Sequence, residues 1–192
     1  MADETESGQV EKEQVDPERE ARRRLALAQI RQYPDPVLRM KAREIDAHDD
    51  DLRRLVERMT RLMQDASGVG LAATQVGILR RVFVFQPGEA DPAAIVNPQI
   101  VKRSDEVETD DEGCLSLQGV QVPVERSLTV TIEGTDETGA PVSYALEELP
   151  ARVVQHEFDH LDGVLILDRT TDEARREALA KLRPQPILGA LG

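Results

Sequence analysis

Two of the three histidines in this 192-residue chain lie four residues apart, in Gln155-His156-Glu157-Phe158-Asp159-His160-Leu161-Asp162-Gly163. On a helix, positions i and i+4 share one face, so two imidazoles at this spacing can hold one metal ion. Glu157, between them, can reach a water on that ion. A third ligand is needed, and the residues leave several open. Asp162, Asp168, Asp172 and Glu173 follow the pair, as a metallopeptidase would require. Upstream stands Cys114, the only cysteine, which by itself reads as readily as a small buried hydrophobe. His48 sits in an Asp-Ala-His-Asp-Asp-Asp run that reads as a solvated helix start.

Two more segments carry weight. Cys114 lies in Glu112-Gly113-Cys114-Leu115-Ser116. The other segment, Gly68-Val69-Gly70-Leu71-Ala72-Ala73-Thr74-Gln75, reads alone as a glycine-softened turn feeding the apolar run Val82-Phe83-Val84-Phe85. Together, and in this order, the three segments closely resemble the peptide deformylase family. That family is marked by GxGLAAxQ, EGCLS and QHExDH, each complete here; Thr74 occupies a variable position. The likeness runs from about Gln32-Tyr33-Pro34-Asp35-Pro36 through Leu161-Asp162-Gly163, roughly three quarters of the chain.

The resemblance implies a metal-dependent hydrolase that removes the formyl group from N-formyl-methionyl nascent peptides, releasing formate. It makes Cys114, His156 and His160 the ligands of one divalent ion, Fe(II) in the cell, with Zn, Ni or Co able to substitute. Two neutral imidazoles and a thiolate form a soft three-ligand set that leaves a fourth position open. Glu157 would then move the proton to the leaving amine. Gln75 can supply a side-chain amide to the developing oxyanion, with the backbone N–H of Leu115 as the companion the resemblance implies. Val69 and Gly70 would pair with the extended substrate backbone. Val153, with Val69, would help form a methionine pocket; Leu149 could join them, although core packing accounts for it as well. A metallopeptidase with Cys114 merely packed, and a non-catalytic relative that binds nascent chains or the ribosome, are the competing classes.

Composition is consistent with such an enzyme without suggesting it. The length suits one domain. With no Trp, three Phe and two Tyr, aliphatic residues must build the core. A net charge of −13 argues against DNA or a basic membrane-surface role. Residues 1–20 hold eight acids against Lys12 and Arg19, a net of −6. Residues 1–24 are therefore expected to be a disordered acidic tail, or at best a frayed helix running into Ala21-Arg22-Arg23-Arg24, ahead of a deformylase domain over 25–192. No apolar run approaches the roughly 18 residues that span a bilayer. Neither a secretory signal nor a transit peptide fits the opening residues. One cysteine permits no internal disulfide, and a reducing cytoplasm is the expected compartment.

The elements that must position these residues follow from periodicity. Residues 50–65 read as a helix with Leu52, Leu55, Met59, Leu62 and Met63 on one face. Strands are expected over 82–85, 94–101, 120–124 and 128–133, then a turn at Asp136-Glu137-Thr138-Gly139 and a strand over 141–146. A helix from about 149 to 161 carries the histidines. Another, 172–182, begins after a Thr170-Thr171 cap and stops before Pro184. Helix, strands, then helix is an α+β order. The resemblance adds antiparallel sheets surrounding a central metal-binding helix, with a C-terminal helix. Four bases against three acids give that last helix a net of +1 over 171–184. Relatives that dock this helix on the ribosome suggest a weak contact there, but covering the core with Leu179 and Leu182 is the expected role.

Overall fold

A computed structural model describes residues 16–182. Its elements are helix α1 (Pro17–Leu27), α2 (Asp50–Asp65), strands β1 (Gly70–Ala72), β2 (Val82–Phe85), β3 (Ala93–Arg103), β4 (Val107–Gly113), β5 (Gln121–Ser127), β6 (Thr129–Thr135), β7 (Pro141–Glu147), then α3 (Glu148–Leu161) and α4 (Asp172–Leu182). This is an α+β fold. A five-stranded antiparallel sheet in the order β1-β2-β3-β6-β7 and a two-stranded sheet β4-β5 flank α3, the helix that carries both histidines.

The long helix α2 forms as its apolar spacing predicts. Asp49 caps it by accepting from Leu52 N–H at 2.9 Å, and Leu52, Leu55, Met59, Leu62 and Met63 are all buried beneath it against β1 and β2. The second core lies between the large sheet and α3, where Phe83, Phe85, Ile95 and Ile132 meet Ala151, Val154 and Leu161. Strand β7 runs into α3 with no intervening loop; the joint is Glu148, whose φ of +53° lies in the left-handed region. Its N–H donates to Leu128 O at 2.9 Å, tying the start of α3 to the loop before β6.

Three expectations change. The boundary placed between residues 24 and 25 falls inside α1, so residues 17–24 take the helical alternative and the helix continues to Leu27. Asp16 accepts from Glu18 N–H, Pro17 occupies the first turn, and Ala26 and Leu27 are buried, so capping and packing outweigh the acidic composition. The expected disorder of residues 1–15 lies outside the described residues. The glycine segment is an edge strand rather than a turn. Strand β4, Val-Glu-Thr-Asp-Asp-Glu-Gly, was absent from the periodicity because only Glu112 in it is buried. It is held by its full ladder to β5, from Val107↔Ser127 to Gly113↔Gln121.

Candidate metal and catalytic centre

His156 and His160 project from one face of α3 towards Cys114, which follows the end of β4. Cys114 Sγ lies 3.3 Å from His160 Nε2, and that nitrogen lies 3.2 Å from His156 Nε2. Among the described residues this is the one group of three or more such side chains able to hold a metal ion, its ligand atoms all within 4.8 Å of one another. Three lone-pair donors facing a common point fit a single divalent cation. His156 has its other nitrogen fixed, with Nδ1 3.0 Å from Glu112 Oε2, and this aims Nε2 at the cluster. Burial disfavours a charged His156, yet its bonds to Cys114 and Glu112 outweigh that and raise its pKa well above the ordinary value. Burial, followed by the charge of His156, pushes His160 well below its own.

None of the downstream acids Asp162, Asp168, Asp172 and Glu173 joins the cluster, and the first two are engaged elsewhere. Asp162 receives Arg81 Nη1 at 2.8 Å, and Asp168 accepts from Leu165 N–H at 2.8 Å and pairs with Arg39. His48 is bonded to Thr135 Oγ1 at 2.8 Å, away from the cluster.

Glu157 is 3% exposed, and its Oε2 has no hydrogen-bond partner among the described residues. Burial, opposed in part by the charge of His156, raises its carboxyl to about 7. Gly70 makes room for it: a Cβ there would lie 2.8 Å from both Cγ and Cδ of Glu157. Gly68 does the same for Leu115, whose Cδ1 would be 2.8 Å from an added Cβ. The two glycines therefore make room for the side chains of Glu157 and Leu115.

Gln75 is locked in place. Its Oε1 accepts from Ala72 N–H at 2.8 Å, and its Nε2 points to Ser116 Oγ (3.2 Å) and Cys114 Sγ (3.6 Å). The amide N–H groups are thus aimed at the cysteine end of the cluster. Leu115 O accepts from Gln32 Nε2 at 2.9 Å, while no acceptor among the described residues takes the Leu115 N–H.

A cleft of about 1000 Å³ opens over this cluster. Val69, Gly70, Leu149 and Val153 all line it. Core packing does not account for Leu149, which is 60% exposed on the cleft wall because Glu148 turns the chain sharply just before it. Strand β1 is an edge of the large sheet. Val69 O accepts from Gln86 N–H, and in an antiparallel ladder the next residue, Gly70, then directs its N–H and C=O away from β2.

Sequence reasoning missed the ion network behind the cluster. Arg126 on β5 donates through Nε and Nη2 to Glu112 (2.9 and 3.0 Å) and through Nη1 to Asp159 (2.6 Å). Arg152 adds a 2.9 Å bond to Glu112, and Arg169 a 2.6 Å bond to Asp159. Burial raises the Glu112 carboxyl, but bonds from His156 and Arg126 outweigh it and hold the group at about 2. A signal was available: Val122, Val124 and Arg126 alternate on the inward face of β5, and a buried arginine needs carboxylates.

Comparison with known proteins agrees with this geometry. The polypeptide deformylase family model matches residues 27–176. Peptide deformylase of Desulforudis audaxviator is 44% identical over 153 residues, covering 80% of this chain and 99% of the relative. The crystal structure of Arabidopsis thaliana peptide deformylase 1B with an inhibitor superposes with a TM-score of 0.76 at 44% identity, covering 80% of this chain and 87% of that one. The Thermotoga maritima peptide deformylase structure gives 0.71 at 45% identity, covering 74% and 96%. The chain belongs to the peptide deformylase family.

Proposed function

We infer that this protein removes the formyl group from the N-terminal formyl-methionine of newly made polypeptides, releasing formate and a free amine. The observation that carries the reading is the convergence of Cys114, His156 and His160 beside an unpartnered, buried Glu157. Cys114, His156 and His160 would hold a divalent cation, which would supply Lewis acidity and a hydroxide-like nucleophile near neutral pH. Glu157 holds the mobile proton on Oε2 and delivers it to the departing nitrogen, a role worth about 10²–10⁴ in rate. The Gln75 Nε2–H and Leu115 N–H donate to the developing oxyanion, and losing one such donor costs about 10²–10³. The substrate backbone adds to the free edge of β1 at Gly70, an augmentation that leaves alternate side chains pointing into the cleft. Val69, Leu149 and Val153 line the wall that takes the methionine side chain, an unbranched chain suited to an irregular apolar slot.

Fe(II) is the proposed resident ion, with Zn, Ni or Co as substitutes. Affinity order favours zinc over iron, so availability decides loading. No helix among the described residues is long and apolar enough to cross a membrane. A cytoplasmic location is proposed because the substrate is a chain still emerging from the ribosome. Helix α4 is assigned to packing rather than to ribosome contact, since Ala178 is buried in the third core cluster, with Leu117, Val120 and Leu165, and Leu179 and Leu182 pack against that cluster.

The test is formate release from a formyl-Met-Ala-Ser peptide with added Fe(II) under anaerobic conditions. Turnover lost in Cys114→Ala together with the metal supports the reading. A Cys114→Ala variant that keeps full metal occupancy and cleaves internal peptide bonds supports a metallopeptidase instead.

A further inference from the structure

Two cations reach the substrate cleft from outside the stretch that the family model matches. Arg23 on α1 and Lys181 on α4 both line it, while the match spans residues 27–176. Both side chains are solvent-exposed. Among the described residues neither has a carboxylate within 4.0 Å, unlike Arg126, Arg152 and Arg169.

Their positions are held by packing. Arg23 lies one helical turn before Leu27, which is buried and itself lines the cleft, so both fall on the same face of α1. Lys181 lies three residues after Ala178, the buried anchor of α4. The other charged groups on the wall are committed or opposed. Glu112 and Arg152 bond each other, and Glu157 with His156 belongs to the centre. Among the described residues Asp111 is the one further carboxylate lining the cleft. The mobile charge offered to an incoming peptide is therefore net positive, in a chain whose total is −13.

We propose that Arg23 and Lys181 make the cleft select nascent chains with acidic side chains shortly after the formyl-methionine. This rests on the deformylase reading and deepens it. Distant acids of the protein are screened beyond about 8 Å at physiological salt, whereas side chains seated in the cleft meet these two cations directly. Long arginine and lysine stems let the charged ends follow a peptide without a fixed geometry. Exposed pairs of this kind give just over twofold each, so about fivefold is expected for both.

The test compares kcat/KM for C-terminally amidated formyl-Met-Ala-Glu-Glu-Ser, formyl-Met-Ala-Gln-Gln-Ser and formyl-Met-Ala-Lys-Lys-Ser on the metal-loaded full chain. Amidation removes the terminal carboxylate, which would otherwise mimic the acidic residues. The acidic-to-neutral ratio is expected near five at about 0.15 M salt, where the distant acids are screened, carried by KM, and to shrink towards one at about 0.5 M salt. In Arg23→Glu/Lys181→Glu the ratio should fall below one. Because it is read within a single protein, a general loss of activity in that variant cancels. A parental ratio of one or less, or a ratio unmoved by the double reversal, overturns the proposal. Failure to release formate from all three peptides overturns the deformylase reading itself, a separate result.

Discussion

Glu112→Gln exchanges one oxygen for an amide nitrogen at a group 5% exposed and bonded to Arg126, Arg152 and His156. The folded chain holds this carboxyl at about 2 against an ordinary 4.5. At about 1.4 kcal/mol per unit, the ionised form gains roughly 3 kcal/mol from folding. In the chelated protein His156 is not a metal ligand, so its bond counts together with those of the arginines, and the roughly 3 kcal/mol is at the low end of the cost of removing one partner from a buried ion pair. For a chain of this length the chelated variant should melt about 6–12 °C lower at pH 7. The pH dependence has a definite sign. Since the folded pKa is depressed, the stabilisation is complete above about 4.5 and is lost as pH falls towards about 2. Parent and variant melting temperatures should therefore converge across that window. A second effect is on metal. An amide N–H facing His156 Nδ1 favours the tautomer with its proton on Nε2, the atom that faces Cys114 and His160. Metal affinity should then fall about 10–100-fold. Differential scanning calorimetry in chelator and a competitive metal titration read the two effects separately. A chelated variant melting within 2 °C of the parent, with undiminished metal affinity, would refute the reasoning.

Four further outcomes are expected. Cys114→Ala should lose most bound metal by elemental analysis and melt lower, since ligation also supports folding. Glu157→Ala should keep its metal but lower kcat by at least about 10²; a change under tenfold removes Glu157 from the proton path. Gly70→Ala should displace the Glu157 carboxylate and cost about 1–3 kcal/mol of stability by overpacking, a loss that urea denaturation would measure. Truncation after Asp168 should destabilise the chain more than it alters co-sedimentation with ribosomes at about 0.1 M salt. It removes Arg169 from Asp159 and strips Ala178 and Leu182 from their core, and selective loss of ribosome binding in a stable truncation would reverse that assignment.

The histidine spacing, the apolar face of α2 and the alternation of β6 were legible because each is a local pattern. Candidate ligands were legible only as types; Cys114 needed three separated motifs to be weighted over the downstream acids, because a distance between residues 42 positions apart is not a local property. Strand β4 was illegible since its stability comes from β5 rather than from its own side chains. Leu149 could not be placed between pocket and core because its exposure follows from one left-handed residue, Glu148, that no periodicity encodes. Helix α1 was written in Asp16, Pro17 and its first-turn acids, signals that composition overrode.

The fit of Glu157 over Gly70 ties two positions 87 residues apart into one heritable unit. While the carboxylate remains, a methyl group at residue 70 collides with it, so drift at that glycine is closed. Once Glu157 is shortened to alanine the collision disappears, and the two substitutions together should cost less stability than their sum. The order of change in a decaying lineage is then set by geometry: the acid goes first, and the glycine is released to vary only afterwards. A descendant with a bulky residue at position 70 and an intact glutamate at 157 would have had to swing that carboxylate out of its seat, keeping the acid while losing the position from which it acts.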